Sequence, residues 1–304
     1  MIQLKQVEKE FGGRMAVEAL DLNVPKGEIF GLLGHNGAGK STTIGMLLGQ
    51  VWPTSGEVIV CGYDVTRDRR GALQKVGAIF ETPVFYDYLS GWRNLEILSH
   101  YTAPTSDARM REVLDWVGLT GREHAKVKTY SHGMRTRLAL AQALLPNPEL
   151  LILDEPSDGL DPGGIHEMRL TIQRLHRELG LTILLSSHLL NEVEQLCSHI
   201  AVLKQGRKMF DGKLADSRRK DNWIRLETTN FAAATASLQS AGLVIGVPAE
   251  NRLVLGASAT VDAVARHLIS NNLPIFALAP EAQTLEEFYL SLMNDGKPGQ
   301  PPKP

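Results

Sequence analysis

The feature that most constrains the fold of this chain is the octapeptide Gly34–Ser41, which reads GHNGAGKS. It matches the pattern G-x-x-x-x-G-K-[ST] of a phosphate-binding P-loop. The apolar run Ile29–Leu33 before it predicts a buried parallel strand, and the run Thr42–Leu48 after it predicts a helix. Because the pattern binds phosphate in this strand–loop–helix context, the chain is predicted to bind a nucleotide.

There is a chemical reason why each of these residue types suits a loop that binds phosphate. Gly34, Gly37 and Gly39 let the backbone approach phosphate oxygens where a Cβ would clash. The backbone N–H groups then point at the anion, and the helix N-terminus adds partial positive charge. Lys40 offers a compact cation to the β- and γ-phosphates, and Ser41 offers a hydroxyl to Mg²⁺. The residues expected to bind the nucleotide here are Gly34, His35, Asn36, Gly37, Ala38, Gly39, Lys40, Ser41 and Thr42.

A second apolar run, Leu150–Leu153, ends in the acidic pair Asp154 and Glu155. Such a strand belongs in the centre of a parallel sheet, and ligands bind beyond the carboxyl ends of those strands. We therefore expect Asp154 to hold Mg²⁺ and Glu155 to orient and deprotonate the attacking water. The run Leu181–Ser187 predicts a further strand ending in His188. A lone histidine is often only a satisfied polar residue, but the sheet geometry puts this one on the phosphate side.

The remaining pattern divides the chain into domains. Residues 1–214 are expected to form an ATP-binding domain with antiparallel strands near its start and a helical subdomain at about 88–147. Residues 215–294 follow the order βαββαβ with an added helix, and 295–304 predict a disordered tail. The expected fold class is α/β: a P-loop NTPase core with an antiparallel β subdomain and helical insert, plus a small C-terminal α+β domain of ferredoxin-like type.

Composition argues against several classes of function. The formal net charge of −2 gives no strong attraction to nucleic acid or anionic lipid. No apolar stretch reaches about 18 residues, so we expect neither a membrane span nor a signal peptide. Cys61 and Cys197 are far apart and make no metal spacing, which favours reduced thiols in the cytosol. Any membrane association is therefore expected to come through a partner.

Phe11 lies at a predicted turn shortly before the P-loop strand. From its position alone two interpretations stay open: a platform on which the nucleotide base stacks, or an aromatic residue that only packs the turn.

Further motifs follow in the order of one family. The segment Tyr130–Met134, reading YSHGM, resembles the signature Leu-Ser-Gly-Gly-Gln, and Gly159–Asp161 resembles a D-loop. His188 resembles a switch histidine, and Phe11 resembles the aromatic A-loop residue. With the P-loop and the acids of the Walker B strand, residues 1–214 resemble the nucleotide-binding subunit of an ABC transporter.

This resemblance implies how the residues work together. One subunit supplies Lys40, Ser41, Asp154 and Glu155 to ATP, while a second subunit arranged head-to-tail supplies Ser131 and Gly133 of its signature helix. ATP then joins the two subunits, which are expected to be identical copies in a homodimer, and hydrolysis releases them. The resemblance further implies that His188 contacts the γ-phosphate, that Phe11 stacks on adenine and that Asp161 serves communication across the dimer. The ATP-hydrolysing subunit would lie on the inner face of the cell membrane, bound to an integral-membrane permease.

Three positions depart from the common family pattern. His132 replaces the first signature glycine, Met134 replaces the final glutamine, and Glu81 stands where most relatives carry the Q-loop glutamine. Glu81, as a carboxylate, is a candidate ligand of Mg²⁺ or of its water. Glu81 with the segments Ile79–Tyr86 and Leu89–Leu95, and the pair Met134-Arg135, resemble the bacitracin and lantibiotic resistance branch, which implies export of drugs or peptides.

Two other classes of function stay open on the sequence. One is a soluble ABC-type ATPase acting on nucleic acid or ribosomes, and the other is a non-catalytic nucleotide sensor. DNA-repair relatives carry a long coiled coil between P-loop and signature, whereas this span is short and lacks heptads. Ribosome-acting relatives usually fuse two cassettes, whereas this chain shows one. The presence of Glu155 argues against a sensor.

Replacing Glu81 with Gln is expected to preserve ATP binding but to change the Mg²⁺ dependence of hydrolysis, because a carboxylate binds Mg²⁺ or its water more strongly than an amide does. Magnesium titrations of the hydrolysis rate at fixed ATP, run on wild type and on Glu81→Gln, measure this effect. Identical titration curves would remove Glu81 from the metal site.

Overall fold

The computed structural model describes residues 1–80, 83–102, 105–217, 223–281 and 284–294. Within it the chain divides into two compact units: the first contains Met1–Leu214 and the described residues from Ser291 to Asn294, and the second contains Ala215–Leu290. The predicted tail at 295–304 lies outside the described residues, as does Glu81.

The first unit is built from two sheets and the helices around them. Its strands are β1 (Ile2–Phe11), β2 (Arg14–Val24), β3 (Ile29–Leu33), β4 (Ser55–Val60), β5 (Tyr63–Asp64), β6 (Val76–Ile79), β7 (Leu150–Asp154), β8 (Thr182–Ser187), β9 (His199–Lys204) and β10 (Arg207–Lys213). Its helices are α1 (Lys40–Leu47), α2 (Arg69–Leu73), α3 (Gly91–Thr102), α4 (Asp107–Trp116), α5 (His132–Leu144), α6 (Pro162–Leu179) and α7 (Leu190–Leu196). The short helix α8 (Leu214–Ser217) lies at the division between the units.

The central sheet has the strand order β10-β9-β3-β8-β7-β6. The pairs from β9 to β6 are parallel, and β10 adds an antiparallel edge. Every residue of β3, β7 and β8 is buried, as expected for parallel strands covered on both faces. The order matters for function because β8 pairs with both β3 and β7, so the ends of these three strands lie side by side.

The second sheet of this unit is antiparallel, with the order β2-β1-β4-β5. Its strands alternate buried apolar and exposed polar residues, so one face packs into the core that also contains Phe30, Ile152 and Leu184 of the central sheet. Between β6 and β7 the described residues form α3, α4 and α5 with a short 3₁₀ turn at Val127–Thr129, and they contain no named strand. This region corresponds to the helical insert expected from the sequence.

The second unit is a small α+β fold. Its elements are β11 (Trp223–Glu227), α9 (Phe231–Ser240), β12 (Val244–Ala249), β13 (Arg252–Leu255), α10 (Val261–Ser270), β14 (Ala277–Pro280) and the part of α11 (Leu285–Asn294) that precedes Ser291. The sheet order β12-β13-β11-β14 is fully antiparallel. In the unit's own sequence order this is second, third, first and fourth strand, the arrangement of a ferredoxin-like βαββαβ fold. The core is apolar, from Ile224 and Leu226 to Val264 and Leu268.

Several short elements were not predicted from the sequence, namely β5, α2, α7 and β10. The last strand of the second unit, β14, pairs Ala277 with Glu227 and Pro280 with Ile224. No helix among the described residues is both long and apolar enough to cross a membrane.

Replacing Ile152 with Ala is expected to lower the free energy of unfolding by about 2–5 kcal/mol, because the change leaves a cavity in a close-packed core. Ile152 is completely buried at the centre of β7. Urea denaturation followed by circular dichroism measures the change. The control is Leu170→Ala on α6, where the side chain is 51% exposed and a change within about 0.5 kcal/mol is expected. Equal destabilisation by the two substitutions would contradict the assigned core.

Candidate active site

The P-loop runs from the end of β3 to the start of α1, and two of its glycines are sterically required. A Cβ on Gly34 would lie 2.7 Å from the carbonyl oxygen of Leu203. Gly39 has φ +105°, and a Cβ there would lie 2.8 Å from the carbonyl oxygen of Ala16. The loop is held by a hydrogen bond from the Gly206 N–H to the Ala38 carbonyl at 2.9 Å. The backbone therefore passes too close to its surroundings for side chains at these positions.

Lys40, the first residue of α1, is 5% exposed and points back into the loop. Its Nζ donates to the Gly34 carbonyl at 2.7 Å and lies 3.2 Å from Oε1 of Glu155. An ammonium group has three donors, so one N–H beyond these two contacts is left for a further acceptor. The cation is thus positioned at the junction of the P-loop and the Walker B strand.

Glu155 joins two of the residues singled out in the sequence. Oε1 contacts Lys40, while Oε2 lies 2.8 Å from Nδ1 of His188 and accepts the His188 N–H at 3.2 Å. Its backbone has φ +49°, a left-handed conformation that is uncommon for a residue other than glycine. The N–H of Glu155 donates to the Ser186 hydroxyl at 3.0 Å, which holds this turn against β8. The structure therefore brings Lys40, Glu155 and His188 together.

Asp154 ends β7 as a buried carboxylate, 5% exposed. The Ser186 hydroxyl donates to its Oδ1. Burying a charged group is costly unless it is hydrogen-bonded or paired, so this bond offsets part of the desolvation of Asp154. The same hydroxyl serves Asp154 and Glu155, which makes Ser186 the residue that fixes both acids.

A cavity of about 960 Å³ connects the P-loop with the β1–β2 turn. It is lined by Phe11, Arg14, Met15, Ala16, His35, Asn36, Gly37, Gly39, Lys40, Ser41, Thr42, Glu155 and Gln205. Phe11 is 50% exposed, and Nζ of Lys9 lies 4.7 Å from its ring centroid. The lining of the cavity thus includes both an aromatic side chain and the residues of the P-loop.

The signature residues do not line this cavity. Ser131 is exposed at the N-cap of α5, where its hydroxyl accepts the Met134 N–H at 3.2 Å and keeps its own hydrogen to donate. Gly133 lies in the first turn of the same helix. Asp161 caps α6 by accepting the Gly164 N–H at 2.7 Å. These three residues therefore form a surface on the described part of the chain that is separate from the P-loop.

The donor groups fit a magnesium ion that is bound together with a nucleotide. No cluster of three or more His, Cys, Asp or Glu side chains suited to a metal occurs among the described residues. Mg²⁺ needs no such cluster, because it is usually held by one or two carboxylates, substrate phosphates and water. Asp154 supplies a carboxylate beside Ser186, and Ser41 supplies an exposed hydroxyl at the edge of the cavity.

Several residues at the site were missed by the sequence analysis. Ser186 lies inside a predicted strand, where a serine gives no motif signal, and Gln205 lines the cavity from the turn after β9. Ser187 donates to Glu192 of the unpredicted helix α7 at 3.3 Å. Burial raises the pKa of Glu192 above its usual value, although hydrogen bonds from Ser157 and Ser187 oppose that rise. These residues can be recognised by their position beside the strand ends, and not by their residue type.

Comparison with known proteins gives the family. The family model described as ABC transporter matches residues 17–158. The uncharacterized ABC transporter ATP-binding protein YhcH of Bacillus subtilis (strain 168) is 38% identical over 98% of this chain and 97% of its own. The bacitracin transport ATP-binding protein BcrA of Enterococcus faecalis is 34% identical over 97% of this chain and 97% of its own. A solved dimeric ATP-binding cassette in a post-hydrolysis state with ADP and Pi is 26% identical, with a TM-score of 0.63, over 70% of this chain and 99% of that one.

The chain belongs to the family of ABC transporter ATP-binding proteins. It is an ATP-binding and ATP-hydrolysing subunit of that class, which confirms the family, the fold class and the enzyme class predicted from the sequence.

Replacing Lys40 with Ala is expected to weaken ATP binding about tenfold or more, since a charge-assisted hydrogen bond is lost from a buried position. Titration with a fluorescent ATP analogue measures the dissociation constant. The control is Lys5→Ala, which removes an exposed lysine that pairs with Glu57 outside the cavity. Wild-type affinity in Lys40→Ala would refute the P-loop assignment.

Proposed function

We propose that this chain is the motor subunit of an exporter, which hydrolyses Mg²⁺–ATP to drive a membrane permease that moves drugs or peptides out of the cell. The observation that carries the proposal is the position of Glu155, whose two carboxylate oxygens contact Lys40 and His188 at the end of a buried strand. A carboxylate placed beside a phosphate-binding lysine has the position that a general base for water requires.

The chain's own residues have distinct roles in this proposal. The P-loop N–H groups and Lys40 bind the β- and γ-phosphates, and Phe11, which lines the same cavity, stacks on the base. Ser41 and Asp154 would hold Mg²⁺, which supplies charge neutralisation on the phosphates when it is bound. Glu155 takes the proton of the attacking water, and His188 orients Glu155 and donates toward the γ-phosphate. Glu81, which the structure does not describe, stays a candidate ligand of the metal.

The proposal includes a second copy of this subunit. Ser131 and Gly133 lie at the start of a 13-residue helix, whose N-terminus is a suitable partner for phosphate. Because they do not line the cavity of their own chain, a second subunit arranged head-to-tail would bring them to its ATP. The dimeric cassette with ADP and Pi is a structural relative in which two such chains assemble. Asp161, at the start of α6, would contact the partner across this interface.

The relatives support a proposal for the membrane partner and the cargo. BcrA, which matches nearly the whole chain, is named a bacitracin transport ATP-binding protein. By analogy we propose a permease partner on the inner face of the membrane and a peptide-like antibiotic as cargo. We propose further that the second unit, Ala215–Leu290, is an accessory domain, because its described residues contain no counterpart of the site formed by Lys40 and Glu155.

Replacing Glu155 with Gln is expected to abolish ATP turnover and to trap an ATP-bound dimer, because the amide cannot take a proton from water although it keeps the shape of the carboxylate. Phosphate release measures turnover, and size-exclusion chromatography with ATP measures the dimer.

The matched control is Glu149→Gln, the same change beside the other end of β7. Glu149 pairs with Lys26 and Lys75, which lower its pKa to about 2, and it lies outside the cavity. Turnover in Glu149→Gln should equal that of wild type. Unchanged turnover in Glu155→Gln would exclude Glu155 as the general base.

A further inference from the structure

The start of α5 is fastened to the loop that follows Glu155. Nε2 of His132 lies 3.0 Å from the carbonyl oxygen of Asp158, a contact between residues 26 positions apart. A carbonyl oxygen can only accept, so the imidazole donates through Nε2. Glycine, which the signature pattern places at position 132, has no side chain with which to make this bond.

The loop that receives this bond is joined to the catalytic turn by its backbone. The Asp158 N–H donates to the Glu155 carbonyl at 3.1 Å, and the Leu160 N–H donates to the Ser157 carbonyl at 3.2 Å. These bonds close two successive turns between Glu155 and α6. The loop and Glu155 are therefore joined by a backbone hydrogen bond.

The two segments are also closely packed where the bond forms. Gly159 has φ +70°, and a Cβ built on it would lie 3.3 Å from Nε2 of His132. A Cβ on Gly133 would lie 3.6 Å from Cδ2 of Leu160. The lack of a Cβ on Gly159 therefore leaves room for the imidazole, whereas the distance at Gly133 is an ordinary van der Waals contact.

A second connection holds the bodies of the two helices. Arg137, further along α5, forms an ion pair with Glu167 of α6. The side chains of Arg137 and Glu167 are 24% and 58% exposed, so solvent screens this ion pair. The ion pair connects helix to helix, whereas the His132 bond connects the first residue of α5 to the loop after Glu155.

We propose that His132 is a positioning residue, which links the signature segment that serves the partner's ATP to the catalytic turn that serves the chain's own ATP. This inference rests on the function proposed above. When Ser131 and Gly133 engage the partner's nucleotide, the His132 bond passes that engagement to the loop at Asp158 and through it to Glu155. The bond makes hydrolysis at one site sensitive to occupancy of the other, a coupling that a glycine at position 132 lacks.

The test compares two substitutions at the same position in the full chain. His132→Leu removes the donor and keeps an apolar side chain, whereas His132→Gln places an amide N–H close to where Nε2 lies. The control is His100→Leu, since His100 is also exposed and its ring also contacts a carbonyl oxygen, that of Glu96 at 2.7 Å. The thermal midpoint of each variant establishes that it is folded.

We expect His132→Leu to lower the maximal hydrolysis rate about fivefold, the order of one neutral hydrogen bond, with unchanged affinity for a fluorescent ATP analogue. His132→Gln and His100→Leu should keep the wild-type rate. A merely structural role would lower the thermal midpoint and would not be rescued by the amide. Wild-type rates in His132→Leu, or equal losses in His132→Leu and His132→Gln, would overturn the proposal.

A second measurement separates this inference from the proposed function. Hydrogen–deuterium exchange without nucleotide should be about fivefold faster at residues 157–161 in His132→Leu than in wild type or His132→Gln. Equal exchange in all three proteins would overturn the link between α5 and the loop. Failure of the proposed function would be a different result, namely normal turnover in Glu155→Gln, and it does not depend on the exchange rates.

Discussion

The placement of β8 between β3 and β7 is the constraint on which the rest of the site depends. Parallel pairing brings the carboxyl ends of all three strands to one edge of the sheet, so the P-loop, the two acids and His188 meet there. Ser186, near the end of β8, then bonds Asp154 at the end of β7 and Glu155, which follows it. The chemistry is thus assembled by backbone pairing first and by side chains second.

The sequence predicts these three strands well, because unbroken apolar runs identify β3, β7 and β8 and each run is followed by a motif. The sequence does not predict elements whose hydrophobic pattern is short or mixed. The strand β10 has one buried residue in seven and gives no clear alternation, and α7 has only seven residues. In the second unit, β14 extends to Pro280, which an edge strand tolerates because the missing N–H faces no partner strand.

The sequence predicts the residues that form the site better than it predicts the contacts between those residues. The motif residues Lys40, Glu155 and His188 are identifiable from the sequence, but the bridge that Glu155 makes between them depends on its left-handed backbone. The His132 contact with Asp158 likewise joins segments that no local pattern connects. The resemblance marks His132 as a departure from the family, and the structure gives that departure a bonding partner.

The bond between the Gly206 N–H and the Ala38 carbonyl has a consequence for the thermodynamics of ATP binding. Fixing the backbone of a flexible loop costs about 1–2 kcal/mol in conformational entropy for each residue. Here the turn after β9, itself bonded through the Gly206 carbonyl to the Glu18 N–H, already fixes the P-loop. Less of the interaction energy with phosphate is then consumed by ordering the loop, and more of it is retained as affinity.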